Sequence, residues 1–215
     1  MRLLALDTSA AHCAAALLVG NAVVAETTEP MARGQAERLI PLAEDLLAGQ
    51  NLHWRDLDAL AVGVGPGNFT GIRIAVSAVR GLALALNIPA HGVTTFEALA
   101  HDINTPALVL LDARRDRVYA AGQGGLDITP MLMPVADLDS LEPPPDTIIM
   151  GFDASAQARR LGRVPGSETQ DPTARAIALA AAGRPIPDRP PAPFYLRQPD
   201  AAPSSEPPPV ILDDA

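Results

Sequence analysis

Four histidines and one cysteine are the side chains that could ligate a metal ion or act as nucleophiles. They are His12, Cys13, His53, His91 and His101. No two of these histidines lie four residues apart on a predicted helix, which is the spacing of a helical zinc site. Cys13 follows His12 directly in a predicted strand, where neighbouring side chains point to opposite faces, so the two cannot form a dyad. We therefore predict neither a metal site nor a catalytic residue.

All 16 basic residues are arginines, and the chain contains no lysine. This excludes a P-loop, which needs a lysine on the bound phosphates, and it excludes Schiff-base chemistry, which needs a lysine amine. The formal net charge of −9 disfavours nucleic-acid binding by this chain alone, because phosphate backbones repel an acidic protein. A single cysteine can form no internal disulfide, so a reducing compartment is expected.

Two loops have residues that could bind a phosphate group. Asp7, Thr8 and Ser9 follow a short apolar strand, and they could hold hydrated magnesium and a phosphate. The alternative is a hydrogen-bonded Asx turn, which the residues alone favour. Gly65 and Gly67 lie between a strand and a helix, where backbone N–H groups can approach an anion. A tight turn that requires a positive φ explains these glycines equally well.

Hydrophobic periodicity predicts the elements that position these loops. The first half has the order of three strands, a helix, a strand, a helix and a strand, which predicts a ribonuclease-H-like α/β layer with a mixed sheet. Three strands and two weaker helices are predicted in the second half. The predicted strands are 3–6, 13–19, 22–26, 59–64, 90–93, 107–113, 117–122 and 148–150, and the predicted helices are 35–48, 69–86, 154–161 and 172–182.

The predicted helix over residues 69–86 is apolar around most of its circumference. Its polar residues form one narrow stripe of Thr70, Arg73, Ser77 and Arg80. A helix on one side of a sheet normally has a single apolar face, so this helix needs a second cover besides its own sheet. The pattern favours a partner-facing surface formed together with helix 35–48. The alternative is a helix buried beneath the second domain.

We predict two domains and a tail, at residues 1–103, 104–199 and 200–215. The proline-rich end favours disorder beyond Pro199, although residues 194–197 form an amphipathic segment that could dock. The N-terminal apolar run is too short for a signal peptide, and no uncharged apolar run is long enough to span a membrane. We expect a soluble, cytoplasmic protein that does not bind membranes.

Four segments together resemble one protein family. They are Leu4-Ala5-Leu6-Asp7-Thr8-Ser9, Gly63-Val64-Gly65-Pro66-Gly67-Asn68-Phe69-Thr70-Gly71-Ile72-Arg73, Asp112-Ala113-Arg114-Arg115 followed by Val118-Tyr119-Ala120, and Tyr195-Leu196-Arg197. The second of these is the most specific. The chain resembles the TsaB (YeaZ-like) family, the dimerisation subunit in bacterial synthesis of threonylcarbamoyladenosine on tRNA. This family belongs to the glycoprotease-like, peptidase M22-like superfamily, and the resemblance covers about residues 1–199.

The resemblance implies a fold of two tandem ribonuclease-H-like subdomains, of the actin, hexokinase and Hsp70 type. The catalytic paralogue of the family, TsaD, has a His-x-x-x-His metal motif on its first helix. Residues 33–41 of this chain correspond to that helix and contain no histidine. Family members often have His-Ser-Glu where this chain has Gln35-Ala36-Glu37. The resemblance therefore implies a non-catalytic subunit of a threonylcarbamoyltransferase complex.

The resemblance also implies the partners of the chain. A TsaD-like catalytic subunit would bind through the first two helices, a TsaE-like ATPase would join the complex, and tRNA would be bound only through the complex. A homodimer of the isolated chain is left open. No cofactor is required, and ATP or ADP at a shared interface is left open. The predicted interface residues are Glu37, Leu39, Ile40, Phe69, Thr70, Ile72, Arg73, Val76 and Arg80.

Two alternative functions compete with this interpretation. The first is an ATPase or small-molecule kinase of the actin-like superfamily, which would use Asp7 and the loop 65–71 as a nucleotide site. Such an enzyme normally needs further acidic magnesium ligands and a second phosphate loop, and the sequence does not reveal them. The second is a glycoprotease-like metallopeptidase, which the lack of metal-ligand spacing disfavours.

Overall fold

The computed structural model describes residues 1–196, and they form a mixed α/β structure with two five-stranded sheets. The elements around the first sheet are β1 (Arg2–Asp7), β2 (His12–Val19), β3 (Ala22–Pro30), α1 (Gln35–Gly49), β4 (Ala59–Gly65), α2 (Phe69–Leu86), β5 (Ala90–Thr94) and α3 (Thr95–Leu99). The later elements are β6 (Ala107–Asp112), β7 (Arg117–Gln123), β8 (Met131–Pro134), β9 (Ile148–Gly151), α4 (Ala154–Leu161), β10 (Val164–Pro165) and α5 (Ala174–Ala181), with 3₁₀ helices at Trp54–Asp56 and Val135–Leu141.

The two sheets have the same strand order and the same strand directions. The first sheet is ordered β3-β2-β1-β4-β5, and the second is ordered β8-β7-β6-β9-β10. In each sheet the first three strands form an antiparallel meander. The fourth and fifth strands are parallel to the first. The mixed sheet predicted for the first half is confirmed. Strands β8 and β10 were not predicted, because both are short and end in proline.

Both faces of the first sheet are buried, and the alternation of β1 shows which helices cover them. Leu4 and Leu6 pack with α1 and α2, whereas Leu3 and Ala5 pack with α5. This follows from the period of two in a strand, which sends successive side chains to opposite faces. All four side chains are fully buried. The strand therefore reads as a continuous apolar run, as expected where helices cover a sheet on both sides.

Helix α2 begins at Phe69 and ends at Leu86, as predicted. The Asn68 side chain caps its N-terminus by accepting a hydrogen bond from the Gly71 N–H at 3.0 Å. Asn87 adopts a left-handed conformation, with φ 54°, and ends the helix. By length and composition alone α2 could cross a membrane, with a mean hydropathy of 1.5, but core helices of globular proteins meet the same test. Here α2 packs on the first sheet and on α1, and its exposed flank contacts the C-terminal segment.

The C-terminal helix α5 packs on the first sheet rather than on the second. Ile177 of α5 is fully buried in the cluster that contains Leu3 and Ala5. The predicted domain boundary at 103/104 falls between α3 and β6, and this division remains a prediction. The later part of the unit predicted at 104–199 nevertheless packs on the earlier unit. The predicted tail, 200–215, lies outside the described residues.

Helix α3 and the C-terminal segment lie between the two sheets. Phe96 of α3 is fully buried against one face of the second sheet, together with Val109. Phe194 and Leu196 pack on the same cluster, and Phe194 also contacts the core beneath α1 and α2. The predicted docking of the segment around residue 194 is thus observed for the part that the structure describes. The other face of the second sheet is covered by α4.

Candidate functional site

The first candidate loop follows β1 and is held together by its own hydrogen bonds. Asp7 Oδ2 accepts from the Ser9 N–H at 3.1 Å and from the Ser9 hydroxyl at 3.0 Å. The Thr8 hydroxyl donates to the Gly71 carbonyl at 2.6 Å. The three side chains are almost wholly buried, with exposed fractions of 0%, 0% and 3%. The Ser9–Asp7 contact is an Asx turn, which was the alternative to a phosphate site.

His12 contacts this loop through Asp7, a pairing that was not predicted from the sequence. Its Nε2 lies 2.6 Å from Asp7 Oδ2. The hydrogen bond with Asp7 raises the pKa of His12; burial opposes this rise, and the charges of Asp7 and Asp171 add to it. The residues are five positions apart across a turn, so no strand or helix periodicity pairs them. Only the register of β1 and β2 brings them together.

Gly63 provides the space for the second oxygen of Asp7. That oxygen, Oδ1, is buried and has no hydrogen-bond partner within the described structure. A Cβ atom at Gly63 would overlap it, and the Ile177 side chain closes the same space. A buried carboxylate oxygen without a partner is costly, and all three hydrogen bonds of the Asp7 side chain are made by its other oxygen, Oδ2.

The second candidate loop packs directly on the first. The Asn68 N–H donates to the Ser9 carbonyl at 2.7 Å. A Cβ atom at Gly71 would overlap the Thr8 carbonyl, and one at Gly67 would lie 2.6 Å from the Ser9 carbonyl. These glycines therefore permit close contact between two loops of the same chain. The alternative for the predicted pair, a tight turn that requires a positive φ, holds for Gly65, whose φ is 99°, but Gly67 has no positive φ.

The N–H groups at two helix N-termini are also engaged by the chain itself. At α2, Asn68 provides both the capping acceptor and an N–H bonded to Ser9. At α4, the Ser155 N–H donates to Glu168 at 3.3 Å, and bonds from Ser155 lower the pKa of that carboxyl. Nucleotide binding at Asp7, Thr8, Ser9, Gly65 and Gly67 remains a prediction. It would require several of these hydrogen bonds to be exchanged.

The C-terminal segment crosses the second loop and reaches α2. The Phe194 N–H donates to the Val64 carbonyl at 2.8 Å. Arg73 Nε donates to the Tyr195 hydroxyl at 2.8 Å, and the guanidinium lies 3.8 Å from the Phe69 ring centroid. The Phe69 and Tyr195 ring centroids are 5.1 Å apart. Phe69 and Arg73, predicted as partner contacts, therefore contact the C-terminal segment of their own chain.

Three residues of the predicted interface are corrected by their burial. Leu39, Ile72 and Val76 are 1%, 1% and 2% exposed, and they belong to the core against the first sheet. They lie on the helix faces turned towards the sheet, so a partner cannot contact them. The alternative prediction, that α2 is buried beneath the second domain, is also wrong, because the whole polar stripe of α2 is exposed.

The outer surface of the helix pair is formed by the remaining predicted residues and a few that were missed. Glu37, Thr70 and Arg80 are exposed, and Ile40 is half-buried. Leu84 was missed although it is 85% exposed. It lies four residues after Arg80, so extending the polar stripe by one turn would have found it. The outer helix surface, as we name it, comprises Glu37, Ile40, Thr70, Ser77, Arg80, Gly81, Leu84 and Ala85.

Within residues 1–196 we find no cluster of side chains suited to metal binding or to nucleophilic catalysis. The described residues contain no group of three or more His, Cys, Asp or Glu side chains placed to hold a metal ion. Cys13 is fully buried, and burial raises the pKa of its thiol to about 11. A thiol with this pKa is a poor nucleophile at neutral pH.

The structure defines an α/β protein with two sheets of the same strand order and an exposed helix pair. Its two candidate loops are hydrogen-bonded to each other. The family model described as TsaD, tRNA N6-adenosine threonylcarbamoyltransferase, matches residues 23–141. An uncharacterized protein of Mycobacterium tuberculosis is 35% identical over 204 residues, which is 93% of each chain. The chain therefore belongs to this family, and the relatives below place it in the TsaB-like branch.

A relative named TsaB and a solved structure similar to YEAZ indicate the branch. The tRNA threonylcarbamoyladenosine biosynthesis protein TsaB of Escherichia coli is 37% identical over 126 residues, which is 56% of this chain and 54% of that protein. The crystal structure of an uncharacterized Pseudomonas aeruginosa protein with similarity to the peptidase YEAZ has a TM-score of 0.72 and 30% identity. It covers 91% of this chain and 99% of that chain.

Proposed function

We propose that the chain is a non-catalytic subunit in the N6-threonylcarbamoylation of the tRNA adenosine beside the anticodon. In this role it binds and stabilises a TsaD-like catalytic subunit. The relatives named TsaB support the pathway. The observation that carries the proposal of partner binding is the outer helix surface, where Leu84 is 85% exposed on a helix otherwise rich in apolar residues.

The shape of the outer helix surface suits a packed helix. Ser77, Gly81 and Ala85 follow one another at intervals of four residues and are all exposed, so a partner helix could approach closely. Nothing lies within 4 Å of a Cβ atom built at Gly81. Burial of Leu84 by a partner would contribute roughly 1.5–3 kcal/mol.

Charges of opposite sign lie on this surface and beside it. Glu37 and Glu44 lie on the exposed side of α1, and Arg73 and Arg80 lie on the exposed side of α2. Complementary charges on a partner would orient it and increase its rate of association. We propose that the TsaD-like subunit binds here, that a TsaE-like ATPase joins the complex in the cytoplasm, and that tRNA binds through the complex. The isolated chain could use the same surface to form a homodimer.

The shared strand order of the two sheets supports the finer description of the fold. We propose that they are tandem ribonuclease-H-like subdomains of the actin, hexokinase and Hsp70 type. In enzymes with such folds, ligands bind outside the carboxyl ends of the parallel strands. In this chain the Asp7–Ser9 loop and the second loop fill that position with mutual hydrogen bonds, which favours a structural role over nucleotide hydrolysis.

A pair of matched variants tests the proposed partner surface. In Leu84→Asp an unpaired carboxylate would be buried on binding, at a cost of several kcal/mol. Co-purification with the TsaD-like subunit should then weaken by about 100-fold or more. The control is Val24→Asp, because Val24 is 46% exposed on β3 and is not part of the outer helix surface. Both variants should melt like the wild type. Unchanged partner binding by Leu84→Asp would contradict the proposal.

The ATPase alternative has its own test. ATP hydrolysis by the purified chain, lost in Asp7→Asn, would reverse the assignment in favour of an enzyme. The melting temperature of Asp7→Asn must be compared with that of the wild type, because Asp7 accepts three hydrogen bonds and the substitution could unfold the first loop. We expect no hydrolysis above background by either protein. One tightly bound zinc or iron ion per chain would instead support the metallopeptidase.

A further inference from the structure

The hairpin loop between β6 and β7 has an unusual backbone. Arg114, Arg115 and Asp116 are three consecutive residues with positive φ, at 61°, 53° and 55°. Left-handed conformations are tolerated by asparagine and aspartate, but they are uncommon for long side chains with a Cβ atom. The loop is closed by the Arg117 N–H, which donates to the Arg114 carbonyl at 3.2 Å. Strained backbone conformations of this kind are concentrated at functional sites, where they serve the function of the site.

The same loop concentrates positive charge on an acidic chain. Arg114, Arg115 and Arg117 are exposed, and none of them forms a side-chain ion pair or hydrogen bond with another residue in 1–196. The Asp112 carboxylate is already an acceptor for the Arg114 backbone N–H at 2.7 Å. Three guanidinium groups thus stand within four residues while the chain has a net charge of −9.

The loop lies at the end of the molecule that holds the Asp7 loop. The Asp112 N–H donates to the Gln170 side chain at 2.8 Å. Asp171, the next residue, is near enough to His12 for its charge to raise the pKa of that histidine. Residues 170 and 171 therefore connect the carboxyl end of β6 with the carboxyl end of β1. Ligands of open α/β sheets bind at such strand ends.

We propose that the arginine loop, residues 113–117, binds backbone phosphates of the RNA that the complex modifies. Guanidinium groups bind phosphate oxygens through paired hydrogen bonds and stay charged at all physiological pH values. An acidic protein partner is less suited, because the exposed residues of the loop are all charged and provide no aromatic or aliphatic anchor. This inference rests on the proposed function, which provides the RNA.

Binding of RNA to the complex tests the arginine loop. The complex with the TsaD-like subunit is titrated with an unmodified tRNA transcript, using Arg114→Ala/Arg115→Ala/Arg117→Ala. We expect about 10- to 100-fold weaker binding, and a slope of log affinity against log salt that is smaller by about 2 to 3. The lysine triple variant should retain most of the affinity. The charge-matched control is Arg159→Ala/Arg175→Ala/Arg189→Ala, since these three arginines are exposed and lie outside both the arginine loop and the outer helix surface.

Each contrary result points to a different explanation. If the alanine triple variant matches the control in affinity and salt slope, the proposal is wrong. If it loses co-purification with the TsaD-like subunit while RNA binding is unchanged, the loop binds protein, and the proposal is also overturned. ATP binding by the wild-type chain that disappears in the variant would assign the loop to a free nucleotide instead. Failure of the wild type to co-purify would reject the proposed function separately.

Discussion

Arg73 and Tyr195 are 122 residues apart in the chain, yet the Arg73 Nε–H donates to the Tyr195 hydroxyl at 2.8 Å. The Arg73 guanidinium also lies over the Phe69 ring, 3.8 Å from its centroid. These contacts attach the C-terminal segment to the exposed flank of α2, beside the outer helix surface. The end of the described chain is therefore positioned by the same helix that we propose as the partner-binding element.

Tyr195→Phe should lower the free energy of unfolding by about 0.5–1 kcal/mol, because it removes one partly exposed hydrogen bond and keeps the ring. Arg73→Ala should cost about 1 kcal/mol, since it also removes the contact with Phe69. In urea denaturation, the double variant should lose about 0.5 kcal/mol less free energy of unfolding than the sum of the two single-variant losses. Strict additivity would show that the two side chains do not interact. Arg80→Ala, on the same helix, is the control.

Two glycines of α2 should respond in opposite directions to alanine. A Cβ atom at Gly71 would overlap the Thr8 backbone carbonyl, so Gly71→Ala should destabilise the protein by about 3 kcal/mol or more. Gly81 has open space around it, and Gly81→Ala should stabilise the helix by about 0.5–1 kcal/mol. Thermal melting measures both changes. A stable Gly71→Ala protein would mean that the two loops can separate at little cost.

The His12–Asp7 contact predicts a pH dependence of stability. The pKa of His12 is raised in the folded protein, mainly by the hydrogen bond to Asp7. Its contribution is therefore full below the unfolded pKa of about 6.5 and is lost as the pH rises through the folded value. Urea denaturation measures the free energy of unfolding of the wild type and of His12→Gln. The wild type should be more stable than the variant by a larger margin at about pH 6 than at about pH 9. A gap that is constant with pH would refute this linkage.

Cys13 should be unreactive in the native state. Burial raises the pKa of its thiol to about 11, so roughly one molecule in a thousand has a thiolate at pH 8. We expect a disulfide reagent such as Ellman's reagent to modify Cys13 at the rate of unfolding, with full modification in urea. Rapid stoichiometric modification without denaturant would show that the strand opens locally.

Local patterns were sufficient to predict most elements of the first sheet and both ends of α2. They also predicted that Thr70, Arg73, Ser77 and Arg80 would share one side of that helix, and all four are exposed. Helix α3 was missed although Thr94 and Glu97 form a capping box, a signal that is legible in the sequence. Its five residues were too few to show a helical period.

The errors in the predicted site came from contacts that no local pattern contains. Ile72 and Val76 were assigned to the interface because α2 is apolar on nearly every side, and periodicity alone does not say which apolar face meets the sheet. Ile72 lies away from the polar stripe, but Val76 lies three residues after Arg73 and four before Arg80, beside the stripe. Burial alone therefore assigns Val76 to the core. The pairing of Asp7 with His12 depends on strand register, and the docking of Tyr195 on Arg73 depends on the return of the chain to α2.

The packing of α5 on the first sheet has a consequence for synthesis on the ribosome. Leu3 and Ala5 are translated long before α5, which covers them and begins only at Ala174. Translation proceeds from the N-terminus, so this apolar face of the nascent chain stays uncovered while the whole second sheet is made. Exposed apolar surface of this kind favours aggregation. Slow translation or premature termination before α5 should therefore produce chains that depend on chaperones.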